Sequence, residues 1–324
     1  MTVTNAIMGM IIGSAANQSI AVGADGTIVV AAQGYGVTNY SLSAAYGILT
    51  APGNFKLYGV DQDFDTGDYP SIAIDPNGMA VSVHETNAIG NSTIMVNIGT
   101  AIGGQGNLTQ YSPRSTDMAG SNPSITAIGP GQFVVSALAK GEELWPLRLW
   151  LVTVNGGTVS TSPITFETSA GPWNLFSGPP CHQYPQLAYR DGMLAISGGM
   201  TSNLSWSMGS LSGATYTQQF GWSIPSNNNT SLGSAVALGP NNTVYAACLQ
   251  NQSAGTNSIM YWAGTYNPSS SSPSLEWTTQ NTVEAAEPLG VSLACLNVGD
   301  YSTVMMAYLE DGAGANCVNL CTLS

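Results

Sequence analysis

The sequence predicts an all-β fold, a six-bladed β-propeller of four-stranded blades. Three observations carry this. A strand-turn-strand motif recurs six times at blade-sized spacing, the composition is rich in turn formers and poor in charge, and the N-terminal segment supplies a strand that the last repeat lacks.

The motif reads NQSIAVGADGTIVVAAQ from Asn17, YPSIAIDPNGMAVSVHE from Tyr69 and NPSITAIGPGQFVVSAL from Asn122. It returns as YPQLAYRDGMLAISGGM from Tyr184, GSAVALGPNNTVYAACL from Gly233 and GVSLACLNVGDYSTVMMAYL from Gly290. Each copy joins a short apolar strand to a near-alternating one through a Gly, Asp, Asn or Pro turn, which is the signature of a β-hairpin. With Ser19, Ser71, Ser124, Gln186, Ala235 and Ser292 as equivalents, the spacing is 49 to 62 residues, the length of a propeller blade. A third strand follows, as in STIMVNIGT and NSIMYWAGT, and then a looser fourth, as in NLTQYSPR and SLEWTTQN.

The last unit ends at the C-terminus after three strands. Residues 4–14 precede the first hairpin as a fourth strand should, so they are expected to complete that last blade and close residues 1–324 into one domain. Closure removes sheet edges that would otherwise template aggregation. The segment has no cationic start, so no signal peptide is read, and the expected location is the cytoplasm or outside the cell by another export route.

Composition narrows the partners. The chain is 44% hydrophobic and 7% charged, with 38 Gly and 17 Pro, and its net charge is −13. That field repels phosphate backbones, and the five cations, Lys56, Arg114, Lys140, Arg148 and Arg190, stand singly, so nucleic acid is excluded. No apolar run is long enough for a membrane-spanning helix. The five cysteines lack paired zinc-knuckle spacing and read as buried thiols.

The densest set of ligand-type side chains is VDQDFDTGDYPS from Val60. Calcium at Asp61, Asp63 and Asp65 is the alternative here. Thr66 stands where a calcium loop needs glycine, and no glutamate closes the loop, so the stretch reads as a solvated linker between blades with no cofactor. In that reading Gly67 supplies a positive φ and Asp65 accepts backbone N–H groups.

Asp65-x-Gly67-x-x-Pro70-Ser71-Ile72-Ala73, the turn DPNG, and Val81-x-Val83-His84-Glu85 resemble repeats of bacterial and fungal propeller proteins of unassigned activity. They are more distantly similar to bladed lectins. The resemblance implies the fold, and through the lectins it implies carbohydrate binding.

No catalytic set is expected. His84 and His182 lie in different repeats, and Glu142 and Glu143 are adjacent in a loop. Gln33, Glu85, Gln250 and Glu310 are read as equivalent ends of second strands, with Ala139 and Met200 at that place in the third and fourth units. Amides and carboxylates repeated in this way suit the hydroxyls of a neutral sugar. Trp145, in a loop, suits stacking on a sugar face, and His84 adjoins Glu85. Trp150, Trp206 and Tyr261, on third strands, are expected to pack between blades.

The expected function is therefore a lectin-like, non-enzymatic protein with repeated weak sites for glycans or other neutral polar ligands, free to form homo-oligomers. The alternative is a hydrolase or lyase with one active site in the central funnel.

Overall fold

The computed structural model of the 324-residue chain describes residues 3–12, 17–35, 40–51, 54–86, 92–108, 114–139, 147–168, 185–199, 203–225, 233–251, 257–268, 274–284, 288–298, 301–312 and 315–323. Among these, every regular element is a strand.

Strand β1 (Val3–Ile12) stands apart in sequence from the sheet it joins. The first hairpin is β2 (Gln18–Val22) and β3 (Thr27–Tyr35), and the sheet continues outward through β4 (Tyr40–Ala51) and β5 (Asn54–Thr66). The next runs β6 (Asp68–Ile74), β7 (Met79–Glu85), β8 (Thr93–Ile102) and then both short β9 (Gln105–Asn107) and β10 (Arg114–Ala119) against β8. The third holds β11 (Ser121–Gly129), β12 (Gln132–Leu138), β13 (Leu147–Asn155) and β14 (Thr158–Pro163).

After β15 (Thr165–Thr168) come β16 (Gln186–Arg190), β17 (Met193–Gly199), β18 (Asn203–Ser212) and β19 (Thr215–Pro225) in one sheet. Then follow β20 (Ser234–Leu238), β21 (Thr243–Asn251), β22 (Asn257–Asn267) and β23 (Ser274–Glu284). The last sheet is β24 (Pro288–Val298), β25 (Tyr301–Gly312) and β26 (Ala315–Leu323), with β1 outermost, paired antiparallel to β26 from Val3↔Leu323 to Ile12↔Asn316. The two ends of the chain thus share one sheet.

The fold is a β-propeller. It shows five blades, not the six four-stranded blades expected from the sequence; five of its sheets are wholly antiparallel. The exception is the β16–β19 sheet, where β15 arrives from the preceding unit and pairs parallel to β19. That pairing covers an outer edge, the part of a sheet most exposed to unwanted strand addition.

The innermost strands β2, β6, β11, β16, β20 and β24 touch in that order, and β24 returns to β2. One hydrogen bond repeats along this circuit. Ser19 Oγ accepts Ile72 N–H, Ser71 Oγ accepts Ile125 N–H and Ser124 Oγ accepts Leu187 N–H, each at 3.1 Å, and Ser292 Oγ accepts Ile20 N–H at 3.3 Å. Four of the six positions that defined the repeat in the sequence thus tie one unit to the next.

Second strands are apolar on both faces because they face two seams. Val29 and Ala31 join the cluster with Ile72 and Ala80, while Ile28, Val30 and Ala32 join Leu296 and Met305 on the other side. Trp150, Trp206 and Tyr261 are buried in such seams, as third-strand aromatics should be. Cys248 and Cys295 are free thiols, and burial pushes them up to about 12 and about 11.

One junction differs from expectation. Residues 61–66 are not a linker but the end of β5, and the third unit is entered in the same way from β10; both outer strands run on to a glycine. Gly67 has the positive φ expected of it, 158°, and at both positions close approach requires glycine. A Cβ on Gly67 would collide with the His84 ring and the Glu85 carbonyl, and one on Gly120 would lie 2.8 Å from the Leu138 carbonyl, its counterpart. The left-handed residues come two later, Tyr69 at φ 56° and Asn122 at φ 52°.

Deleting residues 2–14 removes β1 and bares β26, so the truncated chain is expected to aggregate or to lose its cooperative melting transition. An unchanged melt of a soluble truncation would refute this closure. Ser71→Ala leaves the buried N–H of Ile125 without its acceptor and should cost about 1–3 kcal/mol in urea unfolding; a change within error would show that the inter-blade bond contributes nothing.

Candidate functional site

The six innermost strands begin around a shared mouth. It encloses about 500 Å³, counting the open entrance, and its lining includes Asn17, Ser19, Tyr69, Asn122, Ser124 and Gln186. The left-handed turns at Tyr69 and Asn122 bend the chain inward as each strand starts, beside register shifts at Asp68/Ser71 and Ser121/Ser124. Such bulges re-aim side chains next to active sites. No described lining residue is charged.

Carboxylates gather at the seam between the first two blades, beside the stretch of chain that brings Tyr69 to the mouth. Asp68 and Glu85 are partners across β6 and β7, which sets their Cβ atoms roughly 5 Å apart. Gln33 fixes Asp68: its Nε2 donates to Asp68 Oδ1 at 2.6 Å, while its Oε1 accepts from Asn17 Nδ2 at 3.0 Å and from Tyr69 N–H at 3.2 Å. Gln33 thereby spans the seam. Glu85 is 4% exposed, at the end of β7.

Asp65 reaches the same seam from the end of β5. Its Oδ2 accepts from Asn97 Nδ2 at 3.0 Å and lies 3.3 Å from His84 Nε2, and its Oδ1 accepts Thr66 N–H. His84 is 1% exposed. Its pKa is lowered because burial outweighs the attraction of Asp65 and the hydrogen bond of Asn97. The ring is therefore neutral at pH 7, and among the described residues its Nδ1 has no hydrogen-bond partner. Asp65 is thus a buried-network residue, not the solvated linker residue the sequence suggested.

The sequence-predicted residues separate here. Gln33, His84 and Glu85 come together with Asp65 and Asp68. Gln250 and Glu310 do not share their place in the repeat: Ala31 and Val83 pair with the reference serines 19 and 71, whereas Ala247 and Ala307 pair with Ala235 and Ser292. Gln33 and Glu85 follow that reference by two residues, Gln250 and Glu310 by three. A one-residue offset in a strand of period two breaks equivalence. The side chains of Gln250, Glu310, Asp61 and Asp63 lie outside the described residues, as does the whole of Trp145. Among the described residues no group of three His, Cys, Asp or Glu is placed to hold a metal.

No family model and no curated protein matches the chain. Its fold does match solved structures. NanB with Optactamide superposes at a TM-score of 0.65 and 8% identity, over 99% of this chain and 70% of that one. The leech intramolecular trans-sialidase with 2,7-anhydro-Neu5Ac gives 0.58 and 11%, over 100% and 70%. An α-L-arabinofuranosidase of Fusarium graminearum with arabinobiose gives 0.57 and 9%, over 100% and 97%. These neighbours are glycosidases rather than bladed lectins, and the lectin-like reading of the sequence is corrected accordingly.

His84 makes stability depend on pH. The unfolded imidazole takes up a proton near pH 6.5, whereas the native one resists, so its contribution is complete above 6.5 and is lost as pH falls through the lower folded value. Asp65 is the acid facing the ring, and Glu85 is its chain neighbour. The melting temperature should fall on acidification from pH 7.5 to 5 more steeply than in His84→Gln; parallel curves would show that His84 does not titrate differently on folding.

Proposed function

We propose that the chain is a glycoside hydrolase with one active site at the mouth of the central channel. The observation that carries this is the Asp68–Glu85 pair, two carboxyl groups on facing strands at the seam of the first two blades, Asp68 being the chain neighbour of Tyr69, which lines the neutral polar mouth. Glycoside hydrolysis uses two such groups, one protonating the leaving oxygen and the other acting as base or nucleophile. Glu85, buried at its strand end, is assigned the acid. Asp68, oriented by the Gln33 amide, is assigned the carboxylate. Asp65 and His84 position this seam and do not reach substrate.

The likeness to sialidases and an arabinofuranosidase supports the reaction class, since those propellers are named for acting on glycosides. The β16–β19 sheet is, in this reading, a sixth blade. Its innermost strand β16 fills the interval between β11 and β20, and Leu187 takes the inter-blade bond from Ser124.

A panel of aryl glycosides offered to the intact chain should include one that is turned over. On it Glu85→Gln and Asp68→Asn should each lower kcat about 10²- to 10⁴-fold, with the melting transition kept. Full activity in both variants would overturn the residue assignment, and a wild-type chain inert on every glycoside would overturn the hydrolase reading.

A further inference from the structure

Gln18 breaks the repeat at the channel mouth. Three other units place proline just before the reference position, Pro70, Pro123 and Pro185, whereas the first places Gln18 before Ser19. Proline is a stiff, non-donating choice for the first residue of a strand. A long carboxamide there brings a donor and an acceptor to a place where those three prolines bring neither; the fifth unit has Ser234 there and the sixth Val291.

The carboxamide is built in but unused. Gln18 lines the mouth and is 7% exposed, and among the described residues neither its Nε2 nor its Oε1 has a hydrogen-bond partner. Buried amides are otherwise almost always paired. The space it occupies is kept by Gly290 of the last blade, where a Cβ would stand 2.9 Å from Oε1 and 3.1 Å from Nε2. On the other side of the mouth Gln186 Nε2 donates to Val291 O at 2.9 Å, so a second amide is already committed to holding the same stretch of β24. Serine hydroxyls nearby have accepted N–H groups and keep a proton to donate.

We infer that Gln18 determines specificity at this mouth, its carboxamide donating to one hydroxyl and accepting from a neighbouring one on an uncharged saccharide. The inference rests on the glycosidase reading for its ligand class. A single amide offers one donor face and one acceptor edge side by side, which matches a vicinal diol. A carboxylate-bearing sugar would instead want a cation, and none is among the described lining residues.

The test reads binding by calorimetry on the intact chain, apart from turnover. The probes are neutral disaccharides, arabinobiose first, and anionic 3′-sialyllactose. The expected result is binding of a neutral probe and not of sialyllactose. Gln18→Leu, which fills the same space without polar atoms, should weaken that binding about 10- to 100-fold while leaving the melting temperature equal or higher. Gly290→Ala, which crowds the amide, should weaken it as well without touching the sugar. Unchanged affinity in both variants, with a lower melting temperature in Gln18→Leu, would mean that Gln18 is a structural, water-bridged residue and would overturn the inference. Tighter binding of sialyllactose, or binding of no neutral probe, would overturn it too. Neutral-sugar binding lost in Gln18→Leu by a chain that hydrolyses nothing would sustain it while removing the hydrolase reading.

Discussion

The hydrogen bond from the N–H of one innermost strand to a serine hydroxyl of the strand before it is the constraint on which the rest of the propeller depends. An innermost strand pairs with its own sheet on one edge only, so its other edge would carry buried N–H groups facing the neighbouring unit. Leaving such a group unpaired costs about 1–3 kcal/mol. Serine meets it with the shortest polar side chain that still lets two backbones pack closely, and the bond is directional where the surrounding alanine, valine and isoleucine contacts are not. Ser19, Ser71, Ser124 and Ser292 therefore set the register of each blade against the next. The set is interrupted at Gln186 and Ala235. Gln186 turns away to Val291, and Ala235 has no hydroxyl, and these are the units that flank or contain the sheet altered by β15.

Close approach at the centre dictates what happens at the periphery. Gly67 and Gly120 lie under the second strand of the blade they lead into, and a methyl group at either would meet a backbone carbonyl. The chain can turn inward only after passing that point, which is why the left-handed residues are Tyr69 and Asn122. Asp65 ends β5 beside Gly67 and so meets His84 and Asn97 of the next blade. The candidate site is thus a by-product of the seam geometry: the outer strand of one unit delivers an acid to the second strand of the next.

What could be read in the sequence follows from range. The hairpins were legible because their turns and apolar runs are local, and the terminal closure because one strand was missing from a counted repeat. Strand β5 was not: FKLYGVDQDFDT has no clean alternation, its pairing with β4 shifts register three times, and its acids resemble a loop. Strand β15 was not, because its partners on β19 lie fifty residues further along the chain. The false equivalence of Gln33 and Glu85 with Gln250 and Glu310 came from aligning strand ends instead of the paired reference positions, and a period of two punishes an error of one. Trp145 and the side chains of Gln250 and Glu310 lie outside the described residues. Gln18 was visible in NQS beside YPS, NPS and YPQ, but only the buried, unpartnered amide gives that departure a meaning.

Buried polar groups that the fold does not need differ in kind from one repeat to another. The hydroxyls of the inter-blade bonds are used by backbone N–H groups, and the Gln33 amide is used by Asn17, Asp68 and Tyr69. Among the described residues Gln18 Nε2 and Oε1, Ser82 Oγ, His84 Nδ1 and Asn97 Oδ1 are by contrast buried without hydrogen-bond partners, and so are Ser121 and Ser136 Oγ in the third repeat and Ser234 and Ser258 Oγ in the fifth. Such groups are therefore spread around the ring. What sets the first two repeats apart is the kind of group: two carboxamides and an imidazole there, serine hydroxyls in the third and fifth. A hydroxyl is small and turns to suit its surroundings, whereas a carboxamide or an imidazole presents fixed donors and acceptors that closed packing would leave costly. A sequence consistent across its repeats keeps such large polar groups out, and departures concentrate where function outweighs stability.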